Sequence, residues 1–159
     1  MKIDLVLNGR EVTWDIAPGQ TLLAALRDHQ VYSAKRGCET GDCGSCTVLC
    51  DDQPVNTCMV PAAAVHGRRL TTLEGLLGDE LMVTLQREMV ERGGIQCGYC
   101  TPGMLISFYA LLKENGRPSN EEIRESLTGN LCRCTGYVKP VEAVLAVVKE
   151  RDQTGGQAE

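Results

Sequence analysis

Two groups of closely spaced cysteines constrain this chain of 159 residues more than any other feature. The first group has the spacing Cys38-x4-Cys43-x2-Cys46, and Cys58 follows after eleven further residues. A C-x4-C-x2-C run with a distant fourth cysteine is the plant-type spacing for a [2Fe–2S] cluster. The run is rich in glycine, which lets a loop wrap closely around a cluster and direct backbone N–H groups at its sulfurs. Structural zinc is the alternative, but zinc sites favour two C-x2-C hooks and this group has one.

The second group consists of Cys97-x2-Cys100 and, thirty-one residues later, Cys132-x-Cys134. In extended backbone, residues two apart point the same way, so Cys132 and Cys134 can bind one centre. Each pair comes just before a predicted helix, where the helix dipole and free N–H groups stabilise anionic thiolates. Taken alone, this group would also suit zinc. Beside a plant-type group, we expect it to hold a second iron–sulfur cluster.

The stretch 95–103 contains the first of these pairs and predicts how it is positioned. Thr101 is a favourable N-cap residue, and Pro102 suits the first helical position because the missing N–H costs nothing there. Apolar residues follow at helical spacing up to about Glu114. We therefore expect a helix whose N-terminus lies directly after Cys100.

The cysteine content also bears on the compartment. The first residues alternate in polarity instead of forming the apolar part of a secretion signal, and no run of about 18 apolar residues predicts a membrane span. Clustered cysteines in a reducing compartment more often bind metal than form disulfides, and the odd total of nine argues against a pure disulfide framework. We predict a cytoplasmic protein, in which the ninth cysteine, Cys50, is a small apolar side chain of a strand. The net charge of −5, with scattered basic residues, gives no support to nucleic-acid binding.

Residues 1–75 are predicted to form an α+β domain. Alternating residues over 2–7 and 10–16 indicate two strands, and Asn8-Gly9 between them is a strong hairpin signal. Thr21 can cap a helix that ends near His29, and a long loop over 33–45 follows. Further strands are expected over 47–50 and 55–59 and around 69–72, which gives a small mixed sheet with one helix across it.

Residues 76–150 are predicted to be helical. A helical pattern of apolar residues is stopped by Gly93-Gly94; its members are Leu81, Leu85, Met89 and Val90. After the helix that follows the first cysteine pair, Ser119 and Glu122 form a capping box for a short helix. A last helix is expected from about residue 140, and the polar residues 151–159 are expected to be a frayed tail.

Three segments of the chain together resemble the small iron–sulfur subunit of the molybdenum hydroxylases, the xanthine oxidase family. These are residues 37–48, 96–103 and 130–137, which read GCETGDCGSCTV, QCGYCTPG and NLCRCTGY. The family also includes aldehyde oxidoreductases, carbon monoxide dehydrogenase and 4-hydroxybenzoyl-CoA reductase, and the resemblance covers about residues 1–150. It implies an N-terminal β-grasp ferredoxin-like domain followed by an all-α four-helix bundle, each with one [2Fe–2S] cluster.

The resemblance also implies roles for individual residues. Gln96 matches a glutamine that hydrogen-bonds the pterin of the molybdenum cofactor, whereas without the resemblance it would serve only the local backbone. In this family a large subunit carries the molybdopterin cofactor, and a medium subunit usually carries FAD. The implied ligands are Cys38, Cys43, Cys46 and Cys58 for the first cluster, and Cys97, Cys100, Cys132 and Cys134 for the second, which lies nearer the molybdenum; the surroundings of Cys134 also touch the pterin.

Together these features predict an electron-transfer subunit without substrate chemistry of its own. It would pass single electrons between the molybdenum centre and FAD or an external acceptor. A free-standing ferredoxin or redox-sensing iron–sulfur protein is the alternative, although the helical half and Gln96 have no evident role there. A zinc-stapled interaction module is a third interpretation, and it would contain zinc without acid-labile sulfide. The substrate stays open among purines, other N-heterocycles, aldehydes, carbon monoxide and aromatic CoA thioesters, as does the direction of electron flow.

Overall fold

The structure, a computed structural model, describes residues 1–155. It is α+β, as predicted: a five-stranded mixed sheet with one helix is followed, within these residues, by four helices. The strands are β1 (Lys2–Leu7), β2 (Arg10–Asp15), β3 (Thr47–Cys50), β4 (Gln53–Asn56) and β5 (Arg69–Thr71). The helices are α1 (Leu22–Asp28), α2 (Glu80–Glu91), α3 (Thr101–Glu114), α4 (Asn120–Glu125) and α5 (Val138–Gly155), with short 3₁₀ helices at Ala62–Val65 and Leu73–Leu76.

The sheet begins with the predicted hairpin. β1 and β2 pair antiparallel, with Ile3 opposite Trp14, and both side chains are buried in the core beneath the sheet. Asn8 and Gly9 both have positive φ, 50° and 80°, as a two-residue type I′ turn requires. The local turn chemistry therefore sets the register of this hairpin.

The strand order is β2-β1-β5-β3-β4, in which β1 and β5 are parallel and the other neighbours antiparallel. α1 packs on this sheet, and the side chain of Thr21 caps it by accepting a hydrogen bond from the Ala24 amide at 3.2 Å. Successive residues of β3 point to opposite faces: Val48 is buried in the core with α1, whereas Leu49 is buried in the core of the helical half. Strand β3 thus contributes side chains to the cores of both halves.

The position of β4 differs from the prediction. The sequence pattern predicts a strand over 55–59, but β4 spans Gln53–Asn56. Asp51 and Asp52 both have positive φ, 48° and 67°, so a two-residue turn joins β3 to β4 and the second strand begins at once. Cys58 consequently lies in a turn after the strand and not within it.

Helices α2 to α5 surround a second core, to which α2 contributes Met82, Leu85 and Met89. Val90, the last residue of the predicted helical pattern, is 67% exposed. Successive residues of an α-helix are rotated by about 100°, so the residue next to the buried Met89 is carried away from the core. The sequence pattern over 81–90 therefore identifies the helix, but its last member lies outside the buried face.

Helix α3 begins one residue earlier than predicted. Thr101 is the first helical residue, and Cys100 occupies the N-cap position without a side-chain cap. Pro102 remains within the first turn, where its missing N–H costs nothing. The predicted capping box of α4 is confirmed: the Ser119 hydroxyl accepts from the Glu122 amide at 3.2 Å, and the Glu122 carboxylate accepts from the Ser119 amide at 2.7 Å.

Helix α5 continues to Gly155 and so includes residues 151–155 of the predicted polar tail. The rest of that tail, 156–159, lies outside the described residues. Over residues 1–155, no helix combines the length and apolar character needed to cross a membrane.

Candidate metal centres

The first cysteine loop, residues 33–46, brings Cys38 and Cys43 into direct contact. The Cys38 amide donates to the Cys43 sulfur and the Cys43 amide donates to the Cys38 sulfur, both at 3.4 Å. The Thr40 amide donates to the Cys38 sulfur at the same distance. Gly37 permits this packing, because a Cβ atom there would lie only 2.6 Å from the Cys43 sulfur. The glycine-rich loop therefore directs several backbone N–H groups at sulfur, as the sequence predicts.

The other two members of the first group are more deeply buried. Cys46, at the end of the loop, is 2% exposed, and Cys58, in the turn after β4, is 8% exposed. Their thiols are in contact, and the charge of Cys38 also acts on Cys58. The structure thus brings together as neighbours the four cysteines that the sequence spacing groups.

Hydrogen bonding and burial shift the pKa values of these thiols in opposite directions. The Thr40 side chain, together with backbone amides, lowers the pKa of Cys38 to about 6. Burial, reinforced by the neighbouring Cys46, raises the pKa of Cys58 to about 11. Because the thiolate is the form that binds a metal, loading of this site must displace a proton from Cys58.

The second group forms where two further loops meet, the second cysteine loop (residues 92–100) and the third (residues 129–137). The sulfurs of Cys97 and Cys134 lie 3.6 Å apart, and both residues are exposed. Behind them, Cys100 and Cys132 are partly buried with their thiols in contact. This group therefore has an inner pair and a pair that faces outward.

The pKa values of the two thiols in the inner pair are shifted in opposite directions. Burial, together with contact with Cys132, raises the pKa of Cys100 to about 12. Burial would raise the pKa of Cys132, but hydrogen bonds from the Thr135 hydroxyl, at 3.2 Å, and from the Thr135 amide, at 3.5 Å, have the larger effect. The pKa of Cys132 is therefore lowered to about 7. In the outer pair, contact with Cys97 raises the pKa of Cys134.

Both groups offer four cysteine sulfurs in an arrangement that fits a two-iron cluster. In each group the cysteine side chains occur as two contacting pairs, which suits a cluster bound by four thiolates. Within residues 1–155, no three His, Cys, Asp or Glu side chains form a ready-made site for a single ion.

The cysteine loops of the two groups are joined directly by hydrogen bonds. The Leu131 amide donates to the carbonyl oxygen of Cys43 at 2.9 Å. The Tyr99 hydroxyl donates to the carbonyl oxygen of Arg36 at 2.6 Å. Sequence spacing carries no signal for these contacts, because each joins residues far apart in the chain.

Gln96 directly precedes Cys97 of the outer cysteine pair and is exposed. Among the described residues, none hydrogen-bonds to its side-chain amide, so this group is available to a partner molecule. Cys50 has a different environment: it lies on β3, packs against the first core, and burial raises its pKa. This agrees with its expected role as a small apolar side chain.

Two domain families match the chain in succession. The 2Fe-2S iron-sulfur cluster binding domain matches residues 5–71, and the [2Fe-2S] binding domain matches residues 72–145. The junction between the two matches lies between β5 and the 3₁₀ helix at Leu73–Leu76.

Similar proteins include both separate subunits and longer chains. The nicotinate dehydrogenase small FeS subunit of Eubacterium barkeri is 44% identical over 148 residues, which is 92% of this chain and 94% of that subunit. The crystal structure of quinoline 2-oxidoreductase from Pseudomonas putida 86 has a chain with a TM-score of 0.89 and 39% identity, covering 98% of this chain and 97% of that one. Aldehyde oxidoreductase from Desulfovibrio gigas gives a TM-score of 0.88 at 34% identity over 99% of this chain, but over only 18% of its own longer chain.

Proposed function

Because this chain belongs to the small iron–sulfur subunits of the molybdenum hydroxylases, we propose that it relays electrons between a molybdenum centre on a large partner subunit and an acceptor on its other side. When bound, each [2Fe–2S] cluster takes up and releases one electron at a time. The observation that carries the proposal is the hydrogen bond from the Leu131 amide to the Cys43 carbonyl. Leu131 immediately precedes Cys132. A short path of covalent bonds and this one hydrogen bond therefore connects the sulfur of Cys43 to the sulfur of Cys132.

The sites are assigned within this proposal by the sulfur pairs and the family pattern. The boundary between the two domains is placed near residue 75, in the 3₁₀ helix Leu73–Leu76, which adjoins the junction of the two family matches. The first cluster is assigned to Cys38, Cys43, Cys46 and Cys58, and the second to Cys97, Cys100, Cys132 and Cys134.

The surface around the outer cysteine pair is assigned to the large subunit. Tyr99, Leu131 and Val138 are large apolar side chains that are about half exposed here, which suits burial in a protein interface. Gln96 presents its amide beside Cys97 without a partner among the described residues, and we assign it the hydrogen bond to the pterin of the molybdenum cofactor. The exposed Cys134 is the cluster ligand next to that cofactor.

The acceptor side is assigned to the first cysteine group. Met59, directly after Cys58, is 60% exposed although it packs over the backbone of Gly41 in the first cysteine loop. An exposed methionine beside a metal ligand suits an adaptable protein contact. We assign this contact to a medium subunit that carries FAD. A cytoplasmic location completes the proposal, since clustered cysteines that bind metal are typical of a reducing compartment.

Purification of the tagged chain from its native source, followed by metal and flavin assays, tests this function. A large subunit with molybdenum, and a flavin-bearing subunit, should accompany the chain. The chain should carry about four irons and about four sulfides, and reduction should produce two distinguishable paramagnetic signals. Cys43→Ser should abolish one signal and leave the other, because only one group loses a ligand. Cys50→Ser is the matched control and should retain both signals.

Three results would contradict the proposal. Zinc without acid-labile sulfide would establish the interaction module instead. One paramagnetic signal at half the expected iron content would refute the two-site assignment. A monomer that is isolated alone with full redox activity would favour a free-standing ferredoxin.

A further inference from the structure

The hydrogen bond between Leu131 and Cys43 depends on how the first and third cysteine loops are held together. We propose that Asn130 is the positioning residue for this bridge and thereby sets the electronic coupling between the two clusters. The inference rests on the proposed function, because it takes both cysteine groups to hold clusters. Asn130 is not itself a cluster ligand, so it acts through the residues it positions.

Asn130 is 2% exposed, and both polar atoms of its side chain are engaged. Its Nδ2 atom donates to the carbonyl oxygen of Gly44 at 3.0 Å. Its Oδ1 atom accepts from the hydroxyl of Ser107, on α3, at 2.7 Å. Because Ser107 supplies a donor on one side and Gly44 an acceptor on the other, the amide has one favourable orientation.

The two hydrogen bonds between the loops involve adjacent residues on each side. Asn130 binds the carbonyl of Gly44 through its side chain, and the next residue, Leu131, binds the carbonyl of the preceding residue, Cys43, through its backbone. The first bond therefore holds the two peptide segments in the register that the second one needs. Each segment leads directly to a cysteine, Cys43 on one side and Cys132 on the other.

The close approach of the backbones at this point leaves little room for another arrangement. A Cβ atom on Gly44 would lie 2.0 Å from the carbonyl oxygen of Gly129, and one on Gly103 would lie 2.3 Å from the carbonyl oxygen of Gly44. Gly44 also has a φ of +65°, which favours glycine. Three chain segments thus meet backbone to backbone around the Asn130 side chain.

Removal of the Asn130 amide is expected to affect position more than folding. The Gly44 carbonyl also accepts from the Thr47 hydroxyl at 2.7 Å and from the Thr47 amide at 3.2 Å, so it does not become a buried acceptor without a donor. What is lost is the link from this carbonyl to the helical half. The loops then lose one of the contacts that hold them together, and coupling between the clusters falls as their separation increases.

The test uses the full-length chain with both clusters loaded, in complex with its partners. Asn130→Ala should retain both clusters and their individual paramagnetic signals, but weaken the spin–spin interaction between them and slow electron exchange several-fold. Ser107→Ala, which removes only the donor that orients the amide, should give an intermediate effect. Asn56→Ala is the matched control, because among the described residues the Asn56 side chain hydrogen-bonds only within the first half, donating at 3.0 Å to the Gly41 carbonyl and accepting at 3.1 Å from the Thr47 hydroxyl; it should keep the spin–spin interaction.

An Asn130→Ala chain with both clusters and an unchanged spin–spin interaction would overturn the inference while leaving the proposed function intact. If Asn130→Ala does not fold, Ser107→Ala provides the test. A spin–spin interaction of wild-type strength in Ser107→Ala would equally overturn the inference. Loss of the interaction in Asn56→Ala as well would show that any disturbance of the first loop suffices, which also contradicts a specific role for Asn130. Failure of the wild-type chain to hold two clusters would instead refute the proposed function.

Discussion

Tyr99 lies in the second cysteine loop, and its hydroxyl donates a hydrogen bond to the Arg36 carbonyl in the first cysteine loop. This contact is made at a different residue from the bridge at Cys43, so it restrains the loop at a second point. Tyr99→Phe keeps the ring and deletes the donor, and it should lower the free energy of unfolding by about 1 kcal/mol. Urea unfolding of the loaded chain measures the change. Tyr32→Phe is the control, because no described residue hydrogen-bonds to that hydroxyl, and an equal loss there would refute the assignment.

Gln96 is the residue at which the chain is proposed to meet the pterin. Gln96→Ala should spare both clusters, because the side chain contacts neither cysteine group by hydrogen bonds among the described residues. It should weaken retention of the molybdenum subunit, which is measured as molybdenum recovered per chain after purification under increasing salt. Gln53→Ala, at an exposed position of β4, serves as the control. Full retention of molybdenum in Gln96→Ala would remove the residue from the proposed interface.

At the scale of elements, α2 depends on a buried carboxylate. Glu88 is 6% exposed and accepts from Arg92 at 2.7 Å and from Arg87 at 3.2 Å. The Arg92 hydrogen bond leads the effects that lower the pKa of Glu88 below its ordinary 4.5. Glu88→Gln should therefore cost about 1–2 kcal/mol of unfolding free energy at neutral pH. Glu91→Gln, exposed on the same helix, should be neutral.

The pH dependence of this loss has a definite sign. A carboxyl group whose pKa is lowered by folding stabilises the protein above its ordinary pKa, and that stability is lost as the pH falls through the lower value of the folded state. The difference between wild type and Glu88→Gln should thus be full at pH 7 and shrink below about pH 4.5. Comparing the two at each pH cancels the effect of acid on the clusters. A difference that grows on acidification would contradict this account.

The elements themselves were predictable where the signal is local. Asn8-Gly9 sets the first hairpin, and Ser119 with Glu122 sets the start of α4, because both depend on residues a few positions apart. The register of β4 was not predictable from polarity alternation, since it follows from the left-handed backbone at Asp51 and Asp52. The contacts of Cys97 with Cys134 and of Cys100 with Cys132 join two different loops, so they depend on how those loops meet and not on spacing within either loop.

At the scale of the whole molecule, the arrangement of the two halves depends on contacts that no local pattern carries. Leu49 of β3 packs in the core of the helical half. Gly44 and Gly103 approach so closely that there is no room for a side chain between them. Both contacts join residues from different halves, so periodicity and cysteine spacing cannot indicate them. They matter for function, because they bring the two cysteine groups into hydrogen-bonded contact.

Gly103 offers a test of this arrangement in which two effects have opposite signs. It is a residue of α3, where alanine is favoured over glycine by about 1 kcal/mol when space allows. Here an added Cβ would lie 2.3 Å from the Gly44 carbonyl oxygen, and backbone cannot move aside as a flexible side chain does. Gly103→Ala should therefore lower the free energy of unfolding by about 1–3 kcal/mol. Electron paramagnetic resonance of the reduced chain should also show weaker interaction between its two signals.

The control for this substitution is Gly78→Ala, since a Cβ at Gly78 meets nothing within 4 Å. Its unfolding free energy should stay within about 0.5 kcal/mol of wild type. If Gly103→Ala were as stable as wild type or more so, the helix preference would outweigh the clash, and the halves would not be locked at this contact. If it were destabilised with an unchanged interaction between the signals, the contact would stabilise the fold without setting the separation of the clusters. Only the combined loss supports a backbone-level fit that holds the two redox centres in place.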